Sequence, residues 1–394
     1  MRRRNGSACR ASSAKCSPVR PRSFKRHHRA ARPSIVCAPA ALTTCRLHAS
    51  SAKPWTQAAR LAHLSLSANG AIFGLSGLKL TEAEAAFFKD ANPWGFILFA
   101  RNVDSPDQLR ALTADLLDCL GRAAPILIDQ EGGRVQRMRS PHWREYLPAL
   151  DQMARASDPM RAHWLRNRLI AAELHDVGID VNCAPLADLV EAQTHPVLRN
   201  RLYGETSDIV VEAARVCANA FVAGGVLPVL KHIPGYGRAS VDSHKSLPRV
   251  DAPRADLMAR DFAPFKALNN IRMGMTAHIV FDDIDPDAPA TTSATMMQVI
   301  RDDIGFGGLI MTDDIGMEAL SGTPAERAAA SIAAGCDIVL HCNGDLAEMP
   351  AVAAAAGPMS APAQARALHA LNQRAAPQPI DIAAAIRELE TLLT

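Results

Sequence analysis

The sequence predicts a single (β/α)8 TIM-like barrel, α/β in class, and three observations predict it. Eight short apolar runs recur from residue 69 onward, amphipathic stretches lie between them, and the runs are apolar at successive positions. Strands without polar alternation are buried on both faces, as in a parallel sheet covered by helices. Strand–helix repetition implies right-handed βαβ units. Eight such units over about 270 residues match a closed barrel with its active site on the loops after the strands. An open doubly wound sheet is the alternative, but no Gly-x-Gly-x-x-Gly fingerprint follows the first run.

In chain order, the strand runs are Ala71–Leu75, Gly95–Phe99, Pro125–Ile128, Val181–Pro185, Val226–Leu230, Met273–Val280, Leu309–Met311 and Ile338–Leu340. Helical patterns fall at Pro106–Leu120, Asp158–Val177, Asp208–Ala223 and Thr295–Asp303. The segment after Leu340 is Ala-rich and helical in pattern, ending in Ile382–Leu393, and is expected to close the barrel without forming a second domain. The domain is therefore expected to span 68–394.

Residues 1–67 are expected to be a disordered basic extension. The first sixty residues hold fourteen Lys and Arg and no acid, and lack an apolar period. Such a segment cannot bury enough surface to fold. It reads as transit-like, or as an upstream stretch translated from a wrongly assigned start. Without those sixty residues the chain has 29 basic against 40 acidic residues, a net charge of −11, whereas the whole chain carries +3. An acidic body argues against a general nucleic-acid or anionic-membrane binder. No run approaches the roughly twenty apolar residues of a membrane helix.

Nine cysteines are scattered, four of them in the basic extension. Those of the body show no zinc-like CxxC pair and are expected to be small core residues in a reducing compartment. A cytosolic location is expected, with organelle import only if the extension is genuine.

The polar residues gather where the strands end. The third run opens into Asp129-Gln130-Glu131-Gly132-Gly133-Arg134-Val135-Gln136-Arg137, and Arg199-Asn200-Arg201-Leu202-Tyr203-Gly204 follows the fourth. The fifth leads into Lys231-His232-Ile233-Pro234-Gly235-Tyr236-Gly237 and then Asp242-Ser243-His244-Lys245. The sixth leads to Ala277-His278, and the seventh to Thr312-Asp313-Asp314. Charged residues beside buried strands need partners, and five loops converging on one barrel rim point to a site.

These residue types suit glycoside hydrolysis, which needs a nucleophile or base on one face of the sugar and a proton donor at the leaving oxygen. Asp313 or Asp314 can supply the carboxylate. In an extended loop, residues two apart share a side, so Asp242 can orient the His244 imidazole and favour its protonated form. Lys231, His232, Asp129, Arg137 and Arg201 supply the donors and acceptors that sugar hydroxyls and an amide require.

Four segments, DQEGGRVQR, KHIPGYGRASVDSHKSLP, AHIVFDDIDPDAPATTS and GLIMTDDIGM, resemble the glycoside hydrolase family 3 β-N-acetylglucosaminidases of the bacterial cell-wall recycling type. The resemblance runs in order from about residue 69 to at least 345. It implies a retaining exo-β-N-acetylhexosaminidase that removes terminal β-linked N-acetylglucosamine from muropeptides, chiefly of the 1,6-anhydromuramic type, in the cytoplasm. By motif, Asp313 is the implied nucleophile, and His244 the acid/base assisted by Asp242. Asp129, Arg137, Arg201, Lys231 and His232 are the implied sugar ligands. No cofactor and no metal is called for, and the expected partner is a small-molecule substrate met by a monomer. Two departures stand out: Tyr236, where the family usually has His, and Leu202, where it usually has a small residue.

Other readings differ in class. A catalytically silent sugar-binding barrel would lack the nucleophile or the dyad, and both are present. A metal hydrolase could use His232, His244, Asp242 and Asp313, but the paired-histidine spacing of a helix is missing. An interaction protein would carry a large exposed apolar stripe, and none is apparent.

Overall fold

The computed structural model describes residues 68–241 and 246–394. Each of the eight apolar runs forms a strand or contributes to one. They are β1 (Asn69–Gly74), β2 (Pro93–Leu98), β3 (Ile126–Ile128), β4 (Val181–Asn182), the pair β5 (Leu227–Pro228) and β6 (Leu230–Ile233), β8 (Met273–Thr276), β10 (Leu309–Asp314) and β11 (Ile338–His341). All pair in parallel, in the order β5-β4-β3-β2-β1-β11-β10-β8-β6. The two ends of that order, β5 and β6, are separated only by Val229. The Val229 N–H donates to Asn182 O at 3.1 Å and Ala184 O at 2.9 Å. Lys231 N–H donates to Pro185 O at 3.0 Å, and Ala187 N–H to Lys231 O at 2.8 Å. The fifth strand is thus shared between both ends, and the sheet closes into a barrel.

Strand periodicity divides each strand between two surfaces. Ile72, Trp94, Ile97, Leu127, Val181, Leu227, Met273, Leu309 and Leu340 belong to one buried cluster that fills the interior. Ala71, Phe73, Phe96, Ile126 and Val339 face outward into a second cluster with Leu109, Leu112, Leu116, Leu165 and Leu169 of the helices. A third packs Leu230 and Ile310 against Val210, Phe262, Phe265 and Ile300.

The helical stretches observed are Pro106–Leu120, Pro159–Asp176, Ser207–Ala223 and Ile382–Leu392. The predicted Thr295–Asp303 helix is Ala294–Gln298 followed by a π-helical turn, Val299–Asp303. Ser105 caps the first helix by accepting from Gln108 N–H at 3.4 Å, and Asp158 caps the second through Arg161 N–H at 3.0 Å. In both, proline follows the cap, where its missing N–H costs nothing.

The expected strand Met273–Val280 ends at Thr276. Val280–Phe281 forms β9 instead, pairing in parallel with β7 (Arg249–Val250) outside the barrel. That pair anchors the far end of the long loop after the fifth strand. Of the run Val181–Pro185, Val181 and Asn182 form β4, while Ala184 and Pro185 still accept backbone hydrogen bonds from the fifth strand. The helix at 382–392 packs on the one at 159–176, with Arg161 pairing Glu388 at 2.6 Å. The basic extension lies outside the described residues. Among those described, no helix is long and apolar enough to cross a membrane.

Candidate active site

At the C-terminal end of the barrel the interior side chains Ile97, Met275 and Leu340 form the floor of a cavity. Its walls contain six of the eight residues singled out in the sequence: Asp129, Arg137, Arg201, Lys231, His232 and Asp313. The other two, Asp242 and His244, lie outside the described residues. Val241, immediately before Asp242, lines the same cavity.

Asp129 directly follows the third strand, and its carboxylate accepts from Lys231 Nζ at 2.9 Å and from an Arg137 nitrogen at 3.1 Å. Burial raises its pKa, but the Lys231 and Arg137 charges outweigh burial and hold the carboxyl well below the usual range. On its other side, Arg137 lies over the Phe99 ring, 5.2 Å from the centroid, and Arg101 lies over the same ring at 5.0 Å. Phe99 therefore steadies the guanidinium that pairs with Asp129.

Glu131, two residues on, escaped the sequence reading. Its Oε2 accepts from Arg201 Nε at 2.9 Å and its Oε1 from the terminal nitrogen at 2.8 Å, while Lys231 Nζ stands 2.7 Å from Oε1. Burial raises this carboxyl, yet Arg201 first and Lys231 second bring it down to about 2. Gly132 and Gly133 have φ of 96° and 60°, so the chain turns there in a region open to glycine.

Asp188 also escaped the sequence reading. It is buried after the fourth strand, and its Oδ2 stands 2.8 Å from His232 Nδ1 and 3.2 Å from the His232 N–H. Its Oδ1 accepts from Tyr236 N–H at 2.7 Å. One carboxylate thus orients the His232 ring and fixes the start of the Pro-Gly-Tyr-Gly turn. The Tyr236 ring, 5.5 Å from the His232 ring, lines the cavity. Leu202, the second departure, is fully buried in an apolar cluster behind the cavity lining. The Lys231–His232 and Ile233–Pro234 peptide bonds are cis.

The two adjacent acids of β10 have different surroundings. Asp314 Oδ1 accepts from Gly316 N–H at 2.9 Å and Cys342 N–H at 3.1 Å, so this carboxylate ties the strand end to its neighbour. Burial raises its pKa despite those bonds. The Asp313 carboxylate accepts from Asp314 N–H at 2.8 Å. Burial opposes its ionisation, but His278, His232 and Lys231 nearby lower its pKa overall. His278 is fixed between Thr291 Oγ1 at 2.8 Å and Asp314 O at 2.9 Å. An ionised carboxylate at the barrel mouth near the Lys231 ammonium is equipped for nucleophilic attack.

Among the described residues no group of three or more His, Cys, Asp or Glu could hold a metal ion. Cys183, Cys217, Cys336 and Cys342 are buried thiols and Cys119 a half-buried one.

The chain matches the family described as Glycosyl hydrolase family 3 N terminal domain over residues 59–367. It is 39% identical over 282 residues to the β-hexosaminidase of Alkalilimnicola ehrlichii, covering 69% of this chain and 80% of that one. It is 35% identical to the β-hexosaminidase of Methylococcus capsulatus, over 77% of this chain and 91% of the relative. Among solved structures, NagZ from Neisseria gonorrhoeae in complex with N-trifluoroacetyl-D-glucosamine superposes with a TM-score of 0.71 at 30% identity, covering 83% of this chain and 99% of the other.

Proposed function

Since the chain belongs to glycosyl hydrolase family 3 and is a β-N-acetylhexosaminidase, we propose that it releases terminal β-linked N-acetylglucosamine from muropeptides of the N-acetylglucosaminyl-1,6-anhydromuramic type, with retention. Asp313 is the nucleophile, His244 the acid/base and Asp242 its orienting partner. Asp129, Arg137, Arg201, Lys231 and His232 bind the sugar. The observation that carries this reading is the cavity itself, in which Asp313 shares one wall system with all five binding residues. At about 190 Å³ the cavity is smaller than a pocket for a drug-sized ligand, about 300–1,000 Å³, which suits one ring held in exo fashion.

In the first step the Asp313 carboxylate bonds to the anomeric carbon as the bond to the leaving oxygen breaks, and that oxygen takes the His244 proton. In the second step His244 removes a proton from water, whose oxygen displaces Asp313 from the same carbon. Asp313 needs to be ionised for attack, and its lowered pKa supports that state at neutral pH. Peptidoglycan turnover in the bacterial cytoplasm is the setting that this substrate implies, with the enzyme acting as a monomer on a small molecule. The folded domain is taken to begin at residue 68.

The test is kinetic. kcat/KM on p-nitrophenyl β-N-acetylglucosaminide should exceed that on the β-glucoside and the β-N-acetylgalactosaminide, and a purified disaccharide muropeptide should yield free N-acetylglucosamine. Preference for the glucoside, or inertness toward the muropeptide, would remove this substrate assignment.

A further inference from the structure

Glu131 is buried behind the cavity wall, yet two of the proposed sugar ligands converge on it: the Arg201 fork and the Lys231 ammonium. Its main chain is held as firmly as its side chain. The Glu131 N–H donates to Val135 O at 2.9 Å, and the fully buried Arg166 of the 159–176 helix donates to its carbonyl. We propose that Glu131 is a positioning residue that fixes and neutralises Lys231 and Arg201, and so sets the affinity for the sugar without touching it. The inference rests on the reading that Lys231 and Arg201 bind substrate.

The charges explain why a second carboxylate is needed. Lys231, Arg201 and Arg137 bring three positive charges to the cavity wall, and Asp129 alone can pair directly with only two of them, Lys231 and Arg137. Arg201 has its paired carboxylate in Glu131. Lys231 faces Asp129 and Glu131 from the loop after β3, Arg201 from the loop after β4, and the Cys183 thiol from the strand end, with Asp313 across the cavity. Burial disfavours its ammonium, and Asp129 followed by Glu131 overcomes that cost. Without the Glu131 charge, Lys231 would share its site with the Arg201 cation and keep one partner.

Glu131→Gln keeps the shape and removes the charge. Calorimetry with N-acetylglucosamine as the probe should find its binding weakened roughly 10- to 100-fold at pH 7, the range for losing oriented hydrogen bonds to charged groups. Binding should weaken further by pH 9.5, where the wild type stays level, because the less supported Lys231 loses its proton; a purely structural role would create no such slope. Glu131→Asp keeps the charge but shortens the reach, so it should bind less well than wild type and show no slope. It also carries the test if the Gln variant fails to fold. Arg201→Ala and Lys231→Ala serve as the reference. If they weaken binding while Glu131→Gln stays within twofold of wild type at both pH values, the role assigned to Glu131 is wrong. If all three bind normally, the sugar-site reading itself fails.

Discussion

Asp313 and Asp314 are neighbours with opposite surroundings, and the proposed chemistry predicts opposite consequences for their loss. Asp313→Ala should abolish turnover while N-acetylglucosamine still binds, and azide should partly restore cleavage by forming a glycosyl azide. Asp314→Ala should lower thermal stability, since its carboxylate holds two backbone N–H groups, and should retain measurable turnover. A dead Asp314 variant beside an active Asp313 variant would reverse the assignment. His244→Ala should lose about 10²–10⁴-fold on natural substrate, the usual worth of general acid–base assistance. Cleavage of a dinitrophenyl glycoside, whose leaving group needs little protonation, should be nearly preserved, with a burst as the covalent intermediate accumulates. Equal losses on both substrates would assign the proton donor elsewhere. The six polar cavity residues singled out in the sequence were legible because each lies in a polar segment that follows an apolar run. Glu131 stands in the same segment as Asp129, and the cost of an unpaired charge beside a buried strand is the one signal there that points to it. Asp188 left a similar trace, a lone acid within Ala184–Val190. Its partners, His232 and Tyr236, are over forty residues away in the chain, so no local pattern could name them.

Among the elements, the helix at 159–176 offers a prediction of its own. Glu173 accepts from the Tyr146 hydroxyl at 3.1 Å. Burial raises its pKa from 4.5 to about 7. An acid whose folded-state value lies above its unfolded one destabilises the fold as it ionises: the penalty is absent below pH 4.5, grows as pH rises, and is complete above about pH 7. Glu173→Gln should remove this slope. Its stability relative to wild type should rise by about 1–3 kcal/mol between pH 5 and pH 8, read from denaturant melts; a constant difference would show that Glu173 does not titrate in that window. The principal elements were legible because a doubly covered strand and an amphipathic helix leave different periods in the sequence. The pairing of β7 with β9 was not, since two-residue strands from separate loops carry no period. Nor was the π-helical turn at Val299–Asp303, which keeps a helical composition while changing its hydrogen bonds.

For the whole molecule, the barrel begins with Asn69 in β1, which pairs with β2 on one side and β11 on the other. A chain starting at Ala68 should therefore fold and hydrolyse substrate about as well as the full length; loss of solubility would move the proposed boundary toward the N-terminus. The count of eight was legible from spacing alone, but closure was not, because it depends on one strand serving two neighbours. That strand, Leu227–Ile233, carries Lys231 and His232. The seam that makes the sheet a ring is also one wall of the cavity, so breathing at the seam and loss of the ligand set become a single event. Amide-exchange protection across Leu227–Ile233 should thus rise when N-acetylglucosamine binds, more than across β2 on the flank, as binding draws population from seam-open forms. The enzyme would then sense its sugar as a clasp senses its pin, through the strand that both ends of the sheet share.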